Sequence, residues 1–334
     1  MKIGVIGSGS WGTAQVKILT DNGHRVSWAV RSERIREQLV KRRHNPHYLH
    51  SVHFDTNLLD IRTHAKEVIE NTDLIIIAVP SAYMKDVLEG MDRETLNSKY
   101  IVSTVKGMIP EQNLLLNEYL ENQFSFSLSN YVTIMGPCHA EEVAAEKLSY
   151  LTVSSIHPEL ADKVSLLYAN SYINTIVNKD IYGVQYAAIM KNIYALGAGI
   201  AHGLEYGDNF QSVFMANCAH EMAGFLHLVA KKKGGMVEPS DFMASAYLGD
   251  LLVTGYSLFS RNRTFGNMIG KGYSVKSAQL EMNMVAEGYP ASRAISEVSK
   301  EIGAQLPIAE KIYEILWENH CPEKGFKEIE NVLI

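Results

Sequence analysis

Residues 2–12 read Lys-Ile-Gly-Val-Ile-Gly-Ser-Gly-Ser-Trp-Gly, and no other stretch restricts the fold as much. Ile3, Val5 and Ile6 are β-branched and nearly continuous, the pattern of a strand buried on both faces of a parallel sheet. Gly7, Gly9 and Gly12 follow at the spacing Gly-x-Gly-x-x-Gly, where a strand would give way to a helix. A tight turn needs the first glycine, close approach of backbone to an anion the second, and packing of helix on strand the third. The first amides of a helix have no partner within it and its dipole favours negative charge there, so the turn suits a pyrophosphate. Taken alone, the motif also describes an ordinary glycine-rich turn. Its surroundings favour a dinucleotide: a helix is predicted over Trp11–Asn22, with Ala14, Ile18 and Leu19 on one face and Gly23 at its end, and a second strand over Arg25–Val30.

The rest of the chain has to be accommodated around that unit. At 334 residues it exceeds one hydrophobic core, so two domains are expected, at 1–180 and 181–334. An apolar fraction of 46% and a charged fraction of 20% are ordinary for a globular protein. A net charge of -6 argues against nucleic acid or an anionic membrane as the main partner. Cys138, Cys218 and Cys321 make no spaced framework, Met1 leads straight into a strand, and no run is long enough to span a bilayer. The expectation is a soluble, reduced, cytoplasmic protein with no stable membrane insertion.

In the first domain, folds of this kind place Asp or Glu after the second strand to grip the ribose hydroxyls. Here that place holds Arg31, with Arg34 one helical turn on. A basic strand end suits a 2′-phosphate, which favours NADPH while leaving NAD open; the alternative is a solvated helix start. His44, His47, His50 and His53 recur every third residue, but Pro46 breaks any helix that would align them and no Cys or carboxylate cluster lies nearby. A surface loop is expected there, and no metal site. Three further apolar runs, Asp73–Ser81, Tyr100–Val105 and Tyr131–Met135, read as parallel strands; they end at Pro80, Lys106-Gly107 and Gly136-Pro137. Open α/β sheets bind ligands outside the carboxyl edge, so these residues should gather near the cofactor. Lys106 is there either as an anion contact or as a solvent-facing loop lysine. Leu148–Ser154 and Ile173–Val177 should extend the sheet.

From Ile181 onward the pattern is helical. Ile181–Ala201 is apolar or small throughout except for one charge, Lys191, which shares a face with Gly183, Ala187 and Ala195, and these small residues should leave a groove. Burial lowers the pKa of a lysine toward values useful for proton transfer, although a lysine can also snorkel at a domain seam. Asn192 beside it is a polar partner or a structural cap. Gly207-Asp208-Asn209 reads as a turn, followed by a helix over Gln211–Lys233. Asp250, Thr254, Ser260 and Arg261 then bring a carboxylate, two hydroxyls and a guanidinium into one short segment; the arginine fork matches phosphate oxygens, or else marks a charged helix start.

Taken together, Gly7-Ser-Gly-Ser-Trp-Gly-Thr13, Asn45-Pro-His-Tyr-Leu49, Val79-Pro-Ser81, Lys106-Gly107, Gly136-Pro-Cys-His-Ala-Glu-Glu-Val143, Lys191-Asn192, Gly207-Asp-Asn209, Leu248-Gly-Asp-Leu251, Ser260-Arg-Asn-Arg263 and Glu287-Gly288 resemble the soluble NAD(P)-dependent glycerol-3-phosphate dehydrogenases of bacterial type, nearly end to end. The resemblance implies an α/β Rossmann-type N-terminal domain followed by an all-α domain like the C-terminal part of 6-phosphogluconate dehydrogenase. It also implies reversible reduction of dihydroxyacetone phosphate to sn-glycerol 3-phosphate for phospholipid synthesis. By the same resemblance Lys191 is the catalytic acid/base. The substrate set is Lys106, Gly136, Cys138, Lys191, Asn192, Asp250, Thr254, Ser260, Arg261 and Asn262, with Arg261 on the phosphate. Gly7, Gly9, Ser10, Trp11, Gly12, Arg31, Tyr48, Lys106, Ala140, Arg261, Val285 and Glu287 line the cofactor. A homodimer is expected. Three departures stand out: Cys138 where the family usually has Ser or Thr, Glu146-Lys-Leu148 in place of a glycine and proline pattern, and Ala286 where Val often precedes Glu-Gly. A thiol donates hydrogen bonds poorly. Two rival readings are another β-hydroxyacid or 6-phosphogluconate type dehydrogenase, and an NADP(H)-sensing protein without turnover.

Overall fold

The apolar N-terminal strand has a parallel neighbour on each side and lies inside an eight-stranded sheet. The strands are β1 (Ile3–Ile6), β2 (Val26–Ala29), β3 (Leu59–Arg62), β4 (Leu74–Ile77), β5 (Tyr100–Ser103), β6 (Tyr131–Met135), β7 (Ser149–Ser154) and β8 (Ile173–Asn178), in the order β3-β2-β1-β4-β5-β6-β7-β8. Ile3 stands opposite Val26 on one side and Leu74 on the other, and every residue of β1 and β4 is buried. All pairs are parallel except β6 with β7, where Met135 faces Thr152. The computed structural model describes residues 1–233, 243–257, 260–282 and 286–334.

The chain separates into two compact units, Met1–Ile181 and Tyr182–Ile334. In the first, helices cover both faces of the sheet, and two hydrophobic clusters fill the layers: one around Trp28, Leu74, Val132 and Tyr168, the other around Ile75, Ile77, Leu96 and Tyr131. β1 is the point at which the strand order reverses, because β2 and β3 lie to one side and β4 onward to the other. Ligands of open α/β sheets bind at that reversal. Gly7 occupies it with φ +120, and a Cβ there would strike the carbonyl of Ala78 beyond β4. β3 carries no sequence signal, since Leu-Asp-Ile-Arg buries only Ile61 at a sheet edge.

The second unit is helical among the described residues. Its long helix Ile181–Gly203 is buried at every residue from Gly183 to Ala201, which corrects the expected groove: the face that Lys191 shares with Gly183, Ala187 and Ala195 is covered. A Cβ on Gly199 would meet the carbonyl of Arg263, one on Gly266 the carbonyl of Leu196, and one on Gly270 the carbonyl of Ile200. The helices Ile181–Gly203 and Arg261–Gly270 therefore touch backbone to backbone. Asp208 and Asn209 are a second correction. They open the helix Asp208–Lys233, where the Gln211 amide donates to Gly207 O at 3.0 Å and Asp208 meets the favourable end of the dipole.

Candidate functional site

In the first unit the helix Ser10–Asp21 starts directly from the glycine turn, with Gly9 as its cap residue and no side chain capping it. The turn's carbonyls are all engaged. Trp28 Nε1 donates to Gly7 O at 2.8 Å, Asn45 Nδ2 to Ser8 O at 3.0 Å, and Thr13 Oγ1 to Gly9 O at 2.8 Å. The amides of Ser8 and Gly9 have no partner among the described residues. Among the described residues a Cβ on Gly9 would have nothing within 4 Å, and Trp11 Nε1 is buried without a partner. Free donors beside open space fit a pyrophosphate. Gly9→Ala is accordingly expected to weaken dinucleotide binding by about tenfold while moving the melting temperature little, whereas Gly7→Ala destabilises by about 1–3 kcal/mol through backbone strain; titration and thermal melts of both variants check this.

Other expected cofactor residues take their places on this unit. Lys106, partly buried after β5, holds its ammonium 5.7 Å from the centroid of the Trp11 ring. Next to it a Cβ on Gly107 would approach Ser81 Oγ to 2.5 Å, so the ends of β4 and β5 adjoin there. Arg31 is exposed past the end of β2. Tyr48 is half-buried and its amide donates to Asn45 Oδ1 at 3.3 Å. Gly136 has φ +125 and packs against Tyr150 O, while Cys138 and Ala140 are buried in the cluster against which Trp11 packs. Glu146, one of the departures from the family pattern, takes φ 54 and accepts a 2.9 Å hydrogen bond from buried Lys17. A glycine would enter that conformation freely; the ion pair with Lys17 helps to hold a glutamate in it.

In the second unit the lysine of the long helix is 5% exposed and paired with Asp250, itself 1% exposed. A π-helical turn, Ser245–Gly249, leads into the helix Asp250–Tyr256, placing the carboxylate at that helix's first position. Thr254 Oγ1 donates to Asp250 O at 2.7 Å. One residue on from Lys191, Asn192 accepts from Asn262 Nδ2 at 3.0 Å, and Asn262 Oδ1 accepts the Gly288 amide at 2.8 Å. The amide of Asn262 is thus used inside the protein. Ser260 caps the helix Arg261–Gly270, accepting from the Arg263 amide at 3.3 Å. Arg261, the first residue of that helix, is exposed and makes no ion pair among the described residues. Glu287 precedes the helix Gly288–Ile302 as its cap residue. Val285 lies outside the described residues.

Sequence reasoning missed Glu221, a carboxylate on the helix Asp208–Lys233. Its oxygens accept the Ile308 amide at 2.8 Å, the Ala309 amide at 3.0 Å and the Tyr194 hydroxyl at 3.0 Å. It caps the helix Pro307–Trp317 from a distance and grips the lysine helix one turn beyond Lys191. Burial pushes its carboxyl up to about 7, against three hydrogen bonds that pull it down. Nothing in a His-Glu-Met stretch distinguishes such a group from a surface glutamate.

Comparison with known proteins adds a second line of observation. The family model for the NAD-dependent glycerol-3-phosphate dehydrogenase N-terminus matches residues 2–161, and that for the C-terminus matches residues 180–327. Glycerol-3-phosphate dehydrogenase (NAD(P)+) of Bacillus subtilis (strain 168) is 34% identical over 330 residues, covering 98% of this chain and 93% of the relative. Its counterpart in Streptococcus suis (strain 05ZYH33) is 32% identical over 329 residues, covering 98% and 95%. The crystal structure of glycerol-3-phosphate dehydrogenase from Coxiella burnetii is similar with TM-score 0.88 at 25% identity, over 98% of both chains.

Proposed function

Because the chain belongs to the NAD-dependent glycerol-3-phosphate dehydrogenase family, we propose that it reduces dihydroxyacetone phosphate to sn-glycerol 3-phosphate, reversibly and with NAD(P)H, feeding phospholipid synthesis. The observation that carries this reading beyond family membership is the buried Lys191–Asp250 pair. Carbonyl reduction needs a proton at the oxygen as a hydride reaches the carbon, and the bound nicotinamide supplies that hydride. Lys191 is the proton donor to the ketone oxygen. Asp250 orients its ammonium, and Thr254, bonded to the Asp250 carbonyl, stiffens the start of that helix. A positioned general acid contributes roughly a hundred- to ten-thousandfold.

The phosphate of the substrate rests on Arg261 and the free amides at the start of the helix Arg261–Gly270, where fork geometry and helix dipole act together. Asn262 serves this site indirectly, fixing the helix start against Asn192 and Gly288. Arg261→Lys is expected to raise the KM for the phosphate ester by about tenfold, because a point charge replaces one bidentate fork; steady-state kinetics with the ketone varied checks it, and a change in NADPH affinity alone would remove the phosphate assignment. The glycine turn, Ser10, Trp11, Lys106, Tyr48, Ala140 and Glu287 are the cofactor's surroundings in this proposal, with Val285 among them. Arg31 supports a preference for NADPH.

The deciding measurement is NADPH oxidation with dihydroxyacetone phosphate, repeated with NADH. Turnover with a β-hydroxyacid or 6-phosphogluconate instead would move the chain to a neighbouring dehydrogenase type, and tight NADPH binding without turnover would make it a sensor. A homodimer in the cytoplasm belongs to the same proposal; among the described residues no helix is long and apolar enough to cross a membrane, and light scattering tests the dimer.

A further inference from the structure

We infer that Trp28 and Asn45 are positioning residues for the cofactor's pyrophosphate, acting through the carbonyl oxygens of the glycine turn; the inference rests on the dinucleotide reading above. Across a trans peptide the carbonyl of one residue and the amide of the next point in opposite directions. Holding an oxygen therefore aims the following N–H. Trp28 holds Gly7 O and so directs the Ser8 amide; Asn45 holds Ser8 O and so directs the Gly9 amide. These are the two amides without a partner within the described protein. A third anchor completes the set: Asn45 Nδ2 also donates to Thr13 Oγ1 at 2.8 Å, and Thr13 passes a hydrogen bond on to Gly9 O.

Trp28 alone would suit simple core packing, since it is fully buried with its ring 5.5 Å from Phe54. Asn45 alone would suit loop closure. What neither explanation covers is their convergence from separate elements, β2 and the loop after the helix Glu33–Arg42, on adjacent carbonyls. The Asn45 side chain has no spare capacity for another role. Its nitrogen gives both hydrogens to Ser8 O and Thr13 Oγ1, and its oxygen takes the amides of His47 and Tyr48. Only one orientation of the amide satisfies two donors and two acceptors in this arrangement. The histidine-containing loop thus has a function that metal binding did not suggest: it carries the bracket for the phosphate turn, and Tyr48 is fixed by the same side chain. Amides already aimed cost nothing to reorganise when an anion arrives, and pre-organisation of this kind appears in affinity.

Two variants test the inference from independent elements. Asn45→Asp keeps an oxygen for the His47 and Tyr48 amides, deletes both donors and sets a carboxylate oxygen against Ser8 O. Trp28→Phe keeps an aromatic ring in the core and deletes the indole N–H along with part of the ring's packing, a loss that the melting temperature reports separately. NADPH binding is followed by fluorescence titration, and ADP-ribose, which has the pyrophosphate and no nicotinamide, competes against it; circular dichroism establishes that each variant is folded. The expected result is that both ligands weaken by about tenfold or more in either folded variant, with the KM for the ketone near that of the parent and kcat at saturating NADPH falling less than Kd rises. Loss of NADPH affinity with ADP-ribose unaffected would overturn the inference, as would a lowered melting temperature with both affinities intact. A parent protein that binds neither ligand would instead overturn the dinucleotide reading, and the inference with it.

Discussion

Lys191→Ala is expected to lower turnover with dihydroxyacetone phosphate by about a hundred- to ten-thousandfold while leaving NADPH affinity within a few-fold of the parent. The cradle of free amides is built entirely inside the first unit, so losing an ammonium from the second leaves it intact. The substitution has a second consequence. Asp250 is 1% exposed, and the substitution takes away the ammonium that faces it; breaking a buried ion pair from one side costs about 3–5 kcal/mol. Loss of activity through instability and loss through chemistry are separated by the double variant Lys191→Ala/Asp250→Asn, which removes the buried carboxylate's charge together with the ammonium's. Stability should recover in it and turnover should not. Parent-like turnover in either folded variant would take Lys191 out of the mechanism.

The second large effect concerns pH. Glu221 ionises at about 7 in the folded protein against an ordinary 4.5, so between those values the unfolded chain releases a proton that the native state retains. Stability therefore falls as pH rises through that window, by about 3 kcal/mol in total from this group, and levels off above it. Glu221→Gln resembles the protonated acid and has no such titration, so its stability should change less between pH 5 and pH 8 than that of the parent, the two curves diverging in favour of the variant toward pH 8. Denaturant unfolding across this range is the measurement; parallel curves would show that Glu221 does not titrate there. Tyr194, Cys218 and Glu310 are the titratable neighbours, and burial raises Tyr194 and Cys218 well out of the window.

Local signals were legible in the chain and distant partnerships were not. The glycine turn declared itself because strand, turn and helix are contiguous, and β1, β4, β5 and β6 because each is a short apolar run. β3 did not, since one buried residue in four sets no period. The antiparallel turn of β7 depends on what Tyr150 and Thr152 meet across the sheet. At the site, Lys191 stood out as the single charge in an apolar helix, but its pairing with Asp250 joins positions 59 apart. Asn45 was legible as part of a motif but its role was not, and Glu221 was not legible at all, for a related reason: a buried polar residue looks like a surface one until its partners are known, and most of theirs are backbone groups that every residue has. The expected groove failed because small residues on a helix signal either a void or a covered face, and Gly183, Ala187 and Ala195 are all buried.

The backbone-to-backbone seam of the helices Ile181–Gly203 and Arg261–Gly270 bears on how the phosphate end proposed at Arg261 can change over evolution. With Gly199, Gly266 and Gly270 interlocked, no methyl group can be added along the seam without pushing Arg261 and its helix outward. With the phosphate on Arg261 as proposed, longer or shorter esters cannot then be accommodated by sliding this helix. New specificity has to come from the side chains at its tip, and a glycine replaced twelve ångströms or more along the rod, roughly eight residues at 1.5 Å each, would register as poorer capture of substrate by a group it never touches.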